Sequence, residues 1–95
     1  MRVILLPIGS VVKLNGIDRP IMIYGVYQTS LQNGKTYDYI GEFYPEGFLG
    51  GESNLLFNSE MIAEVLFEGY KTPEYEKLMT ATAKRMEQDK ALAEE

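Results

Sequence analysis

The feature that most constrains this fold is a pair of Asn-Gly dipeptides, Asn15-Gly16 and Asn33-Gly34, on either side of one strongly apolar run. Asn-Gly is the pair that most favours a tight turn, because both of its positions tolerate positive φ. Between the turns, Pro20 to Gln28 places Ile21, Ile23 and Tyr27 on one face of an extended segment and Met22, Tyr24 and Val26 on the other. A strand that is apolar on both faces is covered on both sides and belongs in the centre of a sheet. Gly25 inside it predicts a bulge or a sharp coil. On either side, Val11–Leu14, entered through the bend Pro7-Ile8-Gly9-Ser10, and Tyr37–Tyr44 read as its meander neighbours.

The rest of the chain is shorter in its signals. Pro45 to Asn54 is a glycine-rich loop without periodicity, and Leu55-Leu56-Phe57 is a short apolar strand. Asn58 or Ser59 is positioned to cap a helical turn at Glu60-Met61-Ile62, with the acid near the positive end. Ala63 to Glu68 alternates again and stops at Gly69. Thr72-Pro73-Glu74 then starts a helix with an N-cap hydroxyl, proline at the first position and acids in the first turn. Its stripe is Tyr75, Leu78, Met79, Thr82 and Met86, and the pattern thins towards Leu92. The expected architecture is α+β: a small antiparallel five-stranded coiled sheet or SH3-like barrel over residues 1–71, with a helical turn before the last strand. Residues 72–95 form a C-terminal helix packed on the sheet or extending from it.

The segment Tyr37 to Gly47 carries most of the candidate binding chemistry. Alternation sends Tyr37, Tyr39 and Phe43 to one face, with Gly41 leaving a gap, and Asp38, Ile40, Glu42 and Tyr44 to the other. The first face is expected in the core and the second in solvent. Tyr37, Tyr44, Pro45, Glu46 and Gly47 then form a contact patch, since tyrosine offers large rigid area together with a hydrogen bond. Phe48 and Leu49 flank it. They either fold back over the mouth of the sheet, the preferred arrangement, or await a partner. The helix either packs its Tyr75, Leu78 and Met79 end on the barrel with a solvated remainder, the preferred arrangement, or offers a second surface. In that surface Met79, Met86 and Leu92 extend the stripe into an oligomer or effector contact, a homodimer through the helix being one form of it.

Composition narrows the chemistry. Neither cysteine nor histidine occurs among the 95 residues. A disulfide framework, a thiolate nucleophile and the side chain best suited to proton transfer near neutral pH are therefore missing. No carboxylate spacing matches a calcium loop, and no glycine pattern has the strand, helix and lysine of a phosphate cradle. Catalytic residues, metal ligands and cofactors are expected to be none. The net charge is −5. Residues 1–71 hold five Lys/Arg against eight Asp/Glu and residues 72–95 four against six, so neither part has a basic face for nucleic acid. The apolar start, Arg2 to Ile8, is shorter than the ~20 residues of a spanning helix and lacks a signal-peptide pattern. A soluble cytoplasmic chain, off the membrane, is the expectation.

Six blocks occur in a recognisable order: Leu6-Pro7-Ile8-Gly9-Ser10-Val11-Val12, Ile21-Met22-Ile23-Tyr24-Gly25, Tyr37-Asp38-Tyr39-Ile40-Gly41, Tyr44-Pro45-Glu46-Gly47, Phe57-Asn58, and Val65-Leu66-Phe67-Glu68-Gly69-Tyr70. Over roughly residues 5–75 the chain resembles the bacterial family called domain of unknown function 4176. That resemblance implies a Gram-positive protein encoded near type VII secretion genes and their LXG-domain toxins. It further implies a cytoplasmic accessory, adaptor or chaperone that holds, targets or matures an LXG-type toxin or the toxin's helical companions. The family brings no catalytic residues to carry over. Two alternatives stay open: a nucleic-acid-associated small barrel using exposed aromatics for stacking, and a small-ligand binder using Glu42 and Glu46.

Overall fold

The computed structural model describes residues 5–50 and 53–93. The chain divides into two compact units, residues 6–70 and a second made of residues 71–95 with the first five. The larger unit is a five-stranded sheet ordered β4-β3-β2-β1-β5, from β1 (Val11–Leu14), β2 (Pro20–Thr29), β3 (Thr36–Phe43), β4 (Leu55–Phe57) and β5 (Ile62–Phe67). All its pairings are antiparallel. β2, apolar on both faces, is the middle strand, as its pattern requires. The sheet ends in β4 on one side and β5 on the other, so it stays open. Of the two expected forms, the coiled sheet is present and the closed barrel is not.

The turns follow their chemistry with one difference. Ile17 N–H donates to the Leu14 carbonyl at 3.2 Å across Asn15-Gly16. Only Gly16 takes positive φ, so the turn uses glycine's freedom and not asparagine's tolerance. Asn33-Gly34 lies inside a longer connection, Ser30 to Lys35, closed by Ser30 N–H on the Lys35 carbonyl at 2.7 Å. The register of β2 with β3 shifts between Ile23 and Gly25, which is the bulge that Gly25 predicts. A Cβ on Gly25 would lie 2.6 Å from Ile40 Cγ2, so the bulge also lets β3 approach closely.

The core of this unit collects Val12, Leu14, Ile21, Ile23, Tyr39 and Phe57, all buried. The Tyr39 and Phe57 rings meet at 5.5 Å between centroids, tilted by 30°. The Tyr39 hydroxyl accepts from Leu6 N–H at 2.9 Å, so this buried phenol keeps a partner. Ser10 links two neighbouring strands from the side of their ends. Its buried hydroxyl donates to the Pro7 carbonyl at 2.7 Å and accepts from Gly69 N–H at 3.0 Å. It serves as a strut that joins the entry of β1 to the exit of β5.

The short helical turn, Ser59–Met61, is capped from outside its own segment. The Asp38 carboxylate accepts from Ser59 N–H at 2.8 Å and from the Ser59 hydroxyl at 3.0 Å. In return, the Asn58 side-chain oxygen accepts from Asp38 N–H at 3.0 Å. Asn58 does occupy the N-cap, but its side chain caps nothing in the turn. A carboxylate from β3 does that work because the β3–β4 register brings it there.

In the second unit, α1 spans Pro73–Ala93. Thr72 caps it as expected, its hydroxyl accepting from Tyr75 N–H at 3.0 Å. The Tyr75 hydroxyl donates to the Leu5 carbonyl at 2.7 Å, tying Leu5 to this helix. Tyr75, Met79, Thr82 and Met86 form a half-buried line, while Leu78 and Leu92 are exposed. Leu78 therefore leaves the expected stripe. No helix among the described residues is long and apolar enough to cross a membrane.

Candidate functional site

The Tyr44 corner is built by the β2–β3 register. Ile21 pairs with Phe43, so the next step sets Pro20 opposite Tyr44, and Tyr44 N–H donates to the Pro20 carbonyl at 3.0 Å. One residue further, Arg19 lies beside the turn. Its guanidinium donates to both carboxylate oxygens of Glu46 and to the Tyr44 carbonyl at 3.4 Å. It also sits 4.8 Å from the centroid of the Phe43 ring, in cation–π contact. Gly47 N–H donates to the Phe43 carbonyl at 2.8 Å and closes the turn, in which the Tyr44–Pro45 peptide is cis. The same hydrogen bonds to Arg19 hold the Glu46 carboxyl below its ordinary value of 4.5.

The corner thus has a polar brace beneath and aromatic surface above. Tyr44 is 50% exposed, and Phe48 and Leu49 are each 68% exposed. Phe48 and Leu49 do not fold back over the sheet. They are followed by Gly50, whose carbonyl accepts from both the backbone N–H and the hydroxyl of Ser53. Tyr37 does not join this group. It stands near the start of β3, roughly 23 Å along an extended strand from Tyr44, and its hydroxyl accepts from the Asn33 side chain at 3.1 Å. Of the sequence candidates, Tyr44, Pro45, Glu46, Gly47, Phe48 and Leu49 lie together, and Tyr37 belongs to the opposite end.

The second face of β3 is not the solvent face that alternation predicts. Glu42 is 1% exposed. One carboxylate oxygen accepts from the Ser53 hydroxyl at 2.8 Å. The other, Oε1, is buried with no hydrogen-bond partner among the described residues. Nearby, the Tyr24 hydroxyl donates to the Asn54 side chain at 2.6 Å. Burial, and then the negative charge of Glu42, push that phenol above its usual 10.0. Ser53 and Asn54, just before β4, lie against this face, which no periodicity within β3 could disclose. Glu42 and Glu46 consequently occupy different surroundings, one buried beside Ser53 and the other in a surface ion pair. Among the described residues, no group of three or more acidic side chains is placed to hold a metal ion.

Arg19 is the residue that sequence reading missed. In the sequence it is one charge in a loop. Its role becomes readable only by carrying the β2–β3 register past Pro20.

The fold and this corner define a class: a small α+β domain with an open antiparallel sheet that presents a braced aromatic turn to its surroundings. The chain belongs to the family described as Domain of unknown function (DUF4176), which matches residues 5–78. No curated protein and no solved structure gives a match.

Proposed function

We propose that this chain is a non-enzymatic protein-binding accessory whose Tyr44–Leu49 corner takes an apolar surface of a protein partner. The observation that carries the reading is the combination of exposure and bracing. Three large apolar side chains, Tyr44, Phe48 and Leu49, stand out on or beside a turn that Arg19, Pro20 and Phe43 hold from below. A surface already held in its bound shape loses less conformational freedom on association, which is where rigid aromatics contribute most. The partner class comes from the family resemblance: an LXG-type toxin of the type VII secretion pathway, or its helical companions, met in the cytoplasm. A helical partner would lay an apolar stripe across the Tyr44 ring and Phe48, with Leu49 at the margin.

The test is co-expression of this chain with such a toxin, comparing wild type with a Tyr44→Ala/Phe48→Ala double variant. Buried aromatic anchors contribute about 2 kcal/mol each at interfaces, so the expected loss of affinity exceeds roughly a hundredfold. The variant should keep its thermal unfolding midpoint, because both side chains are exposed. Unchanged co-purification by a folded double variant removes the corner from the reading.

A further inference from the structure

The two edges of the sheet are finished differently. β4 is three residues long, its Phe57 is buried, and the next residue is tied back to Asp38. Short, closed edges of this kind resist further pairing. β5 is six residues long and pairs only with β1 among the described residues. It has neither proline nor a basic residue along its length. Val65 and Leu66 are each 45% exposed and Phe67 is 61% exposed. These three consecutive residues make the end of this edge strand an exposed apolar stretch. The β1–β5 register shifts twice, between Val11 and Val12 and between Lys13 and Leu14, so Ala63 and Leu66 are the extra residues of β5 in this pairing.

Charge selects what can pair there. Between Lys35 and Lys71 the chain has seven acidic residues and no basic one. Glu60 and Glu64 are exposed at β5, and Lys13, opposite Glu64 on β1, is the basic residue that the register brings to the strand. A second copy of this chain would bring the same acids to the same edge. An extended segment alternating apolar residues with Lys or Arg would place cations beside Glu60 and Glu64 and apolar side chains on Val65 and Phe67. We infer that the outer edge of β5 is a strand-addition site for an extended apolar-basic segment of another protein, with main-chain hydrogen bonds supplying affinity and the acids supplying selection. The site is separate from the Tyr44 corner, and neither reading depends on the other.

The test uses the full chain and three short synthetic peptides. The first alternates Val and Lys, the second alternates Val and Glu, and the third is the Val–Lys peptide N-methylated along one backbone edge. Expected are saturable binding of the first peptide and slowed amide exchange along β5 on binding. The second and third peptides should bind at least about tenfold more weakly. Glu64→Gln should weaken the first peptide about threefold and flatten its salt dependence. Leu66→Lys should weaken it by at least about tenfold, and Tyr44→Ala/Phe48→Ala should leave it unchanged. Equal binding of the N-methylated peptide overturns strand addition, and equal binding of the Val–Glu peptide overturns the charge selection. Absence of binding, or a concentration-dependent dimer that Leu66→Lys abolishes, overturns the assignment, the latter in favour of a second copy.

Discussion

Glu42 offers the sharpest test of how this structure distributes its energy. Its carboxylate is removed from water, holds one hydrogen bond from Ser53 and leaves Oε1 without a partner among the described residues. Replacing it by methionine keeps the length of the side chain and removes the buried acceptors. The loss is one hydrogen bond to a charged group, about 1.5–3 kcal/mol. Ser53 is not stranded, because its hydroxyl already lies 2.9 Å from the Gly50 carbonyl and can donate there. The gain is relief of an ion's desolvation, several kcal/mol after relaxation. The difference favours Glu42→Met by about 1–3 kcal/mol, in line with the effect of replacing buried ions by apolar groups of similar volume. In urea, with a slope of about 1–2 kcal/mol/M for a domain this small, the midpoint should rise by roughly 1 M. Tyr24 supplies an independent readout. Removing the Glu42 charge takes away the second cause of its raised pKa, so carbon-13 tyrosine NMR should show its titration moving back towards 10.0. It should stay above that value because burial, the larger cause, is untouched. A lower urea midpoint at unchanged slope would falsify the desolvation argument and mean that the carboxylate contributes more contact than it loses in hydration.

Three other consequences follow from the same structure. In Gly69→Ala the new methyl would run into the Ile8 carbonyl oxygen and come within 3.0 Å of Ser10 N. Both are backbone atoms that cannot swing away, so a loss of about 2–3 kcal/mol is expected in urea, and a loss below 0.5 kcal/mol would show that this junction yields. The Glu46 carboxyl is held below its ordinary value by Arg19, so its contribution is present above pH 4.5 and is lost as pH falls through the lowered folded value. Carboxyl NMR should find that titration shifted down in the wild type and moved back towards 4.5 in Arg19→Ala, short of full recovery because a backbone hydrogen bond also lowers it. For Tyr39, burial raises the phenol's pKa above 10.0. The neutral form is favoured in the folded state, so its contribution is complete below pH 10.0 and falls as pH rises through the folded value. Tyr39→Phe should flatten alkaline denaturation while costing stability at neutral pH, where the bond from Leu6 is lost.

Much of the fold was legible because it rests on local rules. The two-sided apolar run announced β2 as the central strand, Gly25 announced its bulge, and Thr72-Pro73 announced the start of α1. Tyr39 was readable as core from alternation alone. Alternation failed at Glu42 because it says which way a side chain points and not what lies over it. A strand's second face is solvent only if no other segment lies against it, and Ser53 and Asn54 do lie against it. The same limit applied to Phe48 and Leu49, whose apolar character suggested burial although both side chains stay exposed. Asp38 looked like a solvent-facing strand residue, yet it caps a helical turn more than twenty positions later in the chain.

By itself, the sequence determined the order and type of the elements, the middle place of β2, the turn that carries the exposed aromatics and the family to which the chain belongs. Periodicity, turn chemistry and capping act over a few residues, so a short window holds all their information. Tertiary structure decided which carboxylate is buried, that Arg19 braces the Tyr44 corner, that Tyr37 stands apart from it, and that β4 and β5 are the two end strands of the sheet, β5 with its apolar residues exposed. Each of these depends on register and on what crosses a face. Those are set by pairings between residues far apart in the chain, where no local pattern reaches.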